Sequence, residues 1–157
     1  MRKRSRYKPK PKLINPLMYV LESLKPVRSH DSYLLDLKIK NHGAMSNLTK
    51  GIATREDIDV LITMVNVVEA LYRLGFGQEY GEEVQAGLNA LQLVGKRGVE
   101  SGRFILKAQE MSHLNTMIEL HDAQMELITI KEMEEALEMI TKERQLGKMK
   151  TILEKTA

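Results

Sequence analysis

Cysteine is absent from the 157 residues, and this one absence removes disulfide frameworks, thiolate zinc sites, iron–sulfur clusters and cysteine nucleophiles together. It fits a reducing compartment. Tryptophan is absent too and phenylalanine occurs only twice, against ten methionines. Methionine packs adaptably and specifies shape less tightly than an aromatic ring, so ordinary core filling or a plastic partner surface is expected of it. A long apolar run is also missing. The most apolar stretch, Ile58 to Leu74, is interrupted by Asn66, Glu69 and Arg73, which leaves it short of the ~20 apolar residues a bilayer span requires. The opening MRKRSRYKPKPK is basic like the start of a secretory signal, but no apolar run with a small-residue cleavage site follows it. A cytoplasmic protein with no membrane partner is expected.

What is present is unevenly distributed. Residues 1–12 carry seven cations (Arg2, Lys3, Arg4, Arg6, Lys8, Lys10, Lys12) and no acid, leaving 17 of the 24 basic residues against all 21 acidic ones. The basicity belongs to a tail, and the rest of the chain is mildly acidic. Pro9 and Pro11 favour an extended conformation there and deny a helix, so residues 1–14 are expected to be disordered. An arm of this kind neutralises phosphates and releases counterions, which predicts sequence-independent, salt-sensitive binding to DNA or RNA through Arg2, Lys3, Arg4, Arg6, Lys8, Lys10 and Lys12, with Tyr7 available to stack on a base. The competing reading is a tail that only solubilises.

From Asn15 the pattern is helical. Asn15-Pro16 supplies an N-cap and a first-turn proline, Leu17, Val20, Leu21 and Leu24 follow at helical spacing, and Pro26 stops the run. Ser29 or Asp31 opens a second helix with a stop at Gly51 and a kink or break at Gly43. Thr54 and Asp57 outline a capping box for a helix over about 55–74, apolar on so much of its circumference that a central position is expected. A fourth helix runs from about Glu79 to Gly98, and its four glycines, Gly81, Gly87, Gly95 and Gly98, either permit close helix approach or let it fray. Arg103 to Leu106 reads as an extended connector. Met111, Leu114, Ile118, His121, Met125 and Ile128 form one heptad stripe, and after a second capping box at Thr129 the residues Ile130, Met133, Leu137 and Ile140 form another. Two adjacent stripes predict a hairpin over about 108–144, with a solvated or fraying end beyond. No period of 20–50 residues recurs. The expectation is all-α: a single domain over 15–157, a bundle of five or six helices. Met133, Leu137 and Ile140 are the residues expected to pair with a second copy of the chain or with a foreign helix groove.

Candidate chemistry is thin. Glu110 and His113 make one Glu-x-x-His step, whereas a di-iron bundle site needs that step twice and two further carboxylates. No metal and no cofactor is expected. His121 lies beside Asp122, but adjacent helical residues point about 100° apart, so a core histidine is the better reading than a general base. His30 and His42 are placed near helix ends or loops. Ser101 and Ser112 lack the setting of a nucleophile elbow, and Gly95-Lys96-Arg97-Gly98 lacks phosphate-loop spacing and a preceding strand, which makes it a helix-end cation cluster. No enzyme is expected.

Arg6-Tyr7-Lys8-Pro9-Lys10-Pro11, Asn15-Pro16-Leu17-Met18-Tyr19-Val20, Ala70-Leu71-Tyr72-Arg73-Leu74-Gly75 and His121-Asp122-Ala123-Gln124 together resemble small all-helical proteins of proteobacterial prophages and plasmids. That resemblance implies a mobile-element accessory protein and assigns no residue a role. The resulting expectation is a non-enzymatic accessory protein, a homo-oligomer whose tail contacts nucleic acid and whose bundle mediates association. The alternative is an effector or inhibitor that binds a host protein, for example one of a defence system, through the bundle.

Overall fold

The computed structural model describes residues 16–148. The basic tail and the chain beyond Lys148 lie outside the described residues. Six α-helices follow one another: α1 (Pro16–Ser23), α2 (Asp31–Thr49), α3 (Arg55–Arg73), α4 (Gly81–Ser101), α5 (Ala108–Leu127) and α6 (Ile130–Gln145). Short 3-10 turns, Val27–Ser29 and Gln78–Tyr80, precede α2 and α4. The protein is an all-α bundle, and no strand occurs among the described residues.

Helix α3 is the axis. It packs on α2, α4, α5 and α6, and Ile58, Leu61, Val65, Val68 and Leu71 are sealed from solvent along it. Its start is the expected capping box: the Thr54 backbone N–H donates to the Asp57 carboxylate at 2.8 Å while the Asp57 N–H donates back to the Thr54 hydroxyl. Burial would push the Asp57 carboxyl up, but the hydrogen bonds from Thr54 and Asn47 outweigh it and leave the group lowered. Gly75, at φ +105°, turns the chain out of the helix in a conformation that a β-carbon disfavours.

Two apolar clusters flank this axis. One gathers the C-terminal half of α2 with α3, α4 and α5, including Leu48, Leu91 and Leu114; the other joins Val27, Leu34, Leu71, Met125, Ile128 and Ala136. Gly81, Gly87 and Gly98 of α4 prove to be approach points and not fraying points. A β-carbon on Gly87 would lie 2.1 Å from Met117 Cγ, and one on Gly98 would lie 2.0 Å from the Phe104 ring. Helix α4 therefore runs unbroken through Gly95–Gly98 to Ser101, so the cations there are not at a helix end.

Two further expectations are corrected. Helix α2 is continuous through Gly43, because a single exposed glycine costs only about 1 kcal/mol and the flanking Asn41, Ala44 and Met45 are buried. His42 accordingly sits inside a helix and not near its end. Helix α5 packs mainly on α3 and α4 and helix α6 mainly on α3, and the two heptad stripes share the second apolar cluster, where Met125 and Ile128 join Ile130, Met133 and Ile140. Ile128 is extended at the junction, and the chain near Pro26 clamps it there. The Val27 N–H donates to the Ile128 carbonyl and the Ile130 N–H to the Lys25 carbonyl, both at 3.0 Å, forming an isolated antiparallel bridge between Pro26 and Thr129.

Candidate interaction surfaces

Helix α1 has only two turns and is apolar at nearly every position, so it has no polar face to turn outward. Sequence spacing places its leucines inward. The structure instead leaves Met18, Tyr19, Val20, Leu21 and the following Leu24 between 49% and 57% exposed. The helix packs along α6, where the Tyr19 hydroxyl donates to the Glu134 carboxylate at 2.9 Å. That hydrogen bond and the carboxylate's charge hold the Tyr19 phenol above its ordinary range. Single exposed apolar side chains are ordinary, whereas five within two turns form a contiguous patch of the kind that marks a partner site. The signal in the sequence is the run of neighbouring apolar residues from Leu17 to Leu21: apolar side chains on every side of a two-turn helix cannot all face inward, whatever the spacing of the leucines.

The three residues expected to face a partner divide. Met133 and Ile140 are half-buried against the second apolar cluster, because α6 uses its stripe to sit on α3. Leu137 is 45% exposed on the outer side. The tail residues Arg2, Lys3, Arg4, Arg6, Tyr7, Lys8, Lys10 and Lys12 lie outside the described residues, and the first described residue, Pro16, opens α1. The α1 patch is bordered by Glu134, Glu135 and Glu138 of α6 together with Lys131, which pairs with Glu135, and these residues line a shallow cleft between the two helices.

The other polar constellations are internal. Glu110 is buried, and Arg97 reaches it from α4 with two hydrogen bonds, Nη1 to Oε2 at 3.1 Å and Nη2 to Oε1 at 2.5 Å. The Lys107 backbone N–H donates to the same carboxylate at 2.9 Å, and Arg97 also donates to the Ile105 carbonyl. Burial acts to raise the Glu110 carboxyl, but the hydrogen bonds from Arg97 and Lys107 prevail and it stays below its usual range. Glu110 thus ties the connector and the start of α5 to α4, and it is engaged as an anchor of the fold. Nothing local in the sequence announces a partner 13 positions away.

His121 is buried, and its Nδ1 has no hydrogen-bond partner. Burial lowers its pKa, the Asp122 carboxylate opposes that, and the charges of His42 and Lys38 add to the lowering. Asp122 is engaged by His42 of α2 at 2.9 Å from Nε2, and His121 Nδ1 stands 3.7 Å from its other oxygen. The imidazole is sealed from solvent within the core. The Ser101 hydroxyl is committed to the Arg97 carbonyl at 2.7 Å. Among the described residues no group of three histidine, aspartate or glutamate side chains is disposed to hold a metal ion, and no helix is long and apolar enough to cross a membrane.

Comparison with protein-family models, with curated proteins and with solved structures finds no match to the chain.

Proposed function

We propose that this protein is a non-enzymatic binding module that self-associates through α1 and the Leu137 side of α6 and holds DNA or RNA with its basic tail. The observation that carries the reading is the half-exposed apolar patch of α1, placed immediately after a segment of seven cations. An isologous contact between two copies of α1 covers that patch and brings two tails together, raising the local concentration of cations seen by one polyanion. A cytoplasmic location and a mobile-element accessory role accompany this reading, the latter on resemblance alone.

Fluorescence anisotropy with DNA and RNA across a salt series, for the full chain and for a chain lacking residues 2–12, tests the tail. Deletion should weaken binding by orders of magnitude at low salt and reduce the slope against log salt by several units. Full-length protein without affinity at ~50 mM salt removes the nucleic-acid reading. Sedimentation of the L21D/L24D variant tests the patch: the variant should be a folded monomer where the parent is a dimer. A parent that is monomeric at ~50 µM shifts the reading to the host-protein effector, which the acidic border of the patch favours, since a basic foreign surface would complement Glu134, Glu135 and Glu138.

A further inference from the structure

Helices α2 and α5 run antiparallel, and two polar contacts bridge the edge of their seam. Lys38 Nζ donates to the Glu126 carboxylate at 3.2 Å, and one turn further along α2 His42 Nε2 meets Asp122 Oδ2 at 2.9 Å. Beyond His42 the seam is not closed. A hollow of about 350 Å³ lies between His42, Ser46 and Thr49 of α2 and Asn115 and Glu119 of α5. Helix α2 is seated mainly on α3, and its hold on α5 is the lighter of the two.

Behind His42 the bridge continues inward. Asp122 Oδ1 is buried without a hydrogen-bond partner, and so is His121 Nδ1, 3.7 Å from it. The side chains of His42, Asp122 and His121 are 55%, 25% and 2% exposed in that order, so one carboxylate stands between an imidazole in water and an imidazole in the core. The charged groups that act on the buried ring are Asp122, on its own helix, and His42 and Lys38, both on α2. Among the described residues, no charged group of α3, α4 or the Val27–Ser29 turn, the other elements packed on α5, acts on it. A proton on His121 would therefore find its anion on α5 and its like charges on α2.

We propose that His42, Asp122 and His121 form an acid-operated latch on the α2–α5 seam: a proton on His121 draws Asp122 away from His42, repels Lys38 and His42, and parts α2 from α5 at the adjoining hollow while α2 stays on α3. The remaining bridge, Lys38–Glu126, lies largely in water and holds weakly. The direction follows from linkage. Burial lowers the pKa of His121 below its ordinary 6.5 in the closed seam, and a ring reached by water titrates closer to that value, so the open form binds the proton first and gains population as pH falls through 6.5.

The absence of cysteine permits a clean test. Nitroxides on K40C and E119C, both exposed positions, report the α2–α5 distance in the full chain by pulsed electron spin resonance, and nitroxides on K96C and E119C report α4 against α5. From about pH 7.5 to about pH 5 the first distance should lengthen by roughly 1–2 Å or more while the second holds. H121Q should abolish the change. K38Q, at a partly exposed site, should move its midpoint to higher pH, since a like charge and the second bridge are both lost, and it decides the matter if H121Q fails to fold. An unchanged α2–α5 distance, a change that persists in H121Q, or a midpoint that K38Q leaves in place or lowers overturns the proposal. Both distances lengthening together would show general acid unfolding and overturn it as well.

Discussion

Helices α1 and α3 are both rich in large aliphatic side chains, yet one lies on the outside of the protein and the other at its centre. Leu71 of α3 is 0% exposed and Leu21 of α1 is 53% exposed. Composition does not separate them. Length and periodicity do: the five turns of α3 can present different faces to α2, α4, α5 and α6 at once, whereas the two turns of α1 can lie against only one neighbour and leave the rest of their circumference uncovered. An apolar residue is buried only when the surrounding elements have surface left to offer it.

The sharpest test of this contrast is a pair of truncations. Leu71→Ala should cost about 2–5 kcal/mol, the lost transfer free energy plus a cavity in a site that cannot collapse. Leu21→Ala should change the stability of the monomer by no more than about 0.5 kcal/mol, and its effect should appear in self-association instead. Denaturant unfolding at low protein concentration separates the two; a large monomer destabilisation by Leu21→Ala would mean that α1 is integral to the core.

A second pair extends the contrast to glycines. Gly87→Ala places a β-carbon within the Met117 side chain, so overpacking of roughly 1–3 kcal/mol should outweigh the ~1 kcal/mol that alanine gains in helix propensity. Gly43→Ala, in α2 with nothing near its absent side chain, should stabilise by about 0.5–1 kcal/mol. Thermal midpoints moving in the same direction for both variants would contradict the assignment of Gly87 as an approach point.

The interior should also be visible to acid. Because the folded-state pKa of His121 lies below its ordinary value of 6.5, the unfolded chain binds the proton first, and stability present above that value declines as pH falls through 6.5 toward the folded pKa. The slope can reach about 1.4 kcal/mol per pH unit. His121→Gln should flatten the unfolding free energy between pH 7 and 5, whereas a profile unchanged by the substitution would place the titration elsewhere. The caps form the last pair: Thr54→Ala should cost about 1 kcal/mol, while His30→Ala at the start of α2, where no side-chain cap bond forms, should cost less than about 0.5 kcal/mol.

Much of the fold was legible because helix ends are local. The capping boxes at Thr54 and Thr129, the stop at Pro26 and the turn at Gly75 each involve residues within a few positions of one another, and the described helices begin and end within a few residues of those signals. The binding surfaces were less legible. Met133, Leu137 and Ile140 share one stripe, but only the position of α3 decided that Met133 and Ile140 turn inward and Leu137 does not. The Arg97–Glu110 anchor joins two helices whose facing sides no periodicity specifies.

The sequence by itself determined that the chain is helical, where most of its helices begin and stop to within a few residues, and that seven of its 24 cations stand without an acid in the first twelve residues, since backbone hydrogen bonds, turn dihedrals and charge density are properties of neighbours along the chain. Tertiary structure alone decided that α1 stays outside, that α3 is the element on which α5 and α6 both pack, and that a cleft remains beside the end of α6. Those outcomes depend on how a limited apolar surface is shared among six helices, and that sharing is settled by contacts between residues far apart in the chain.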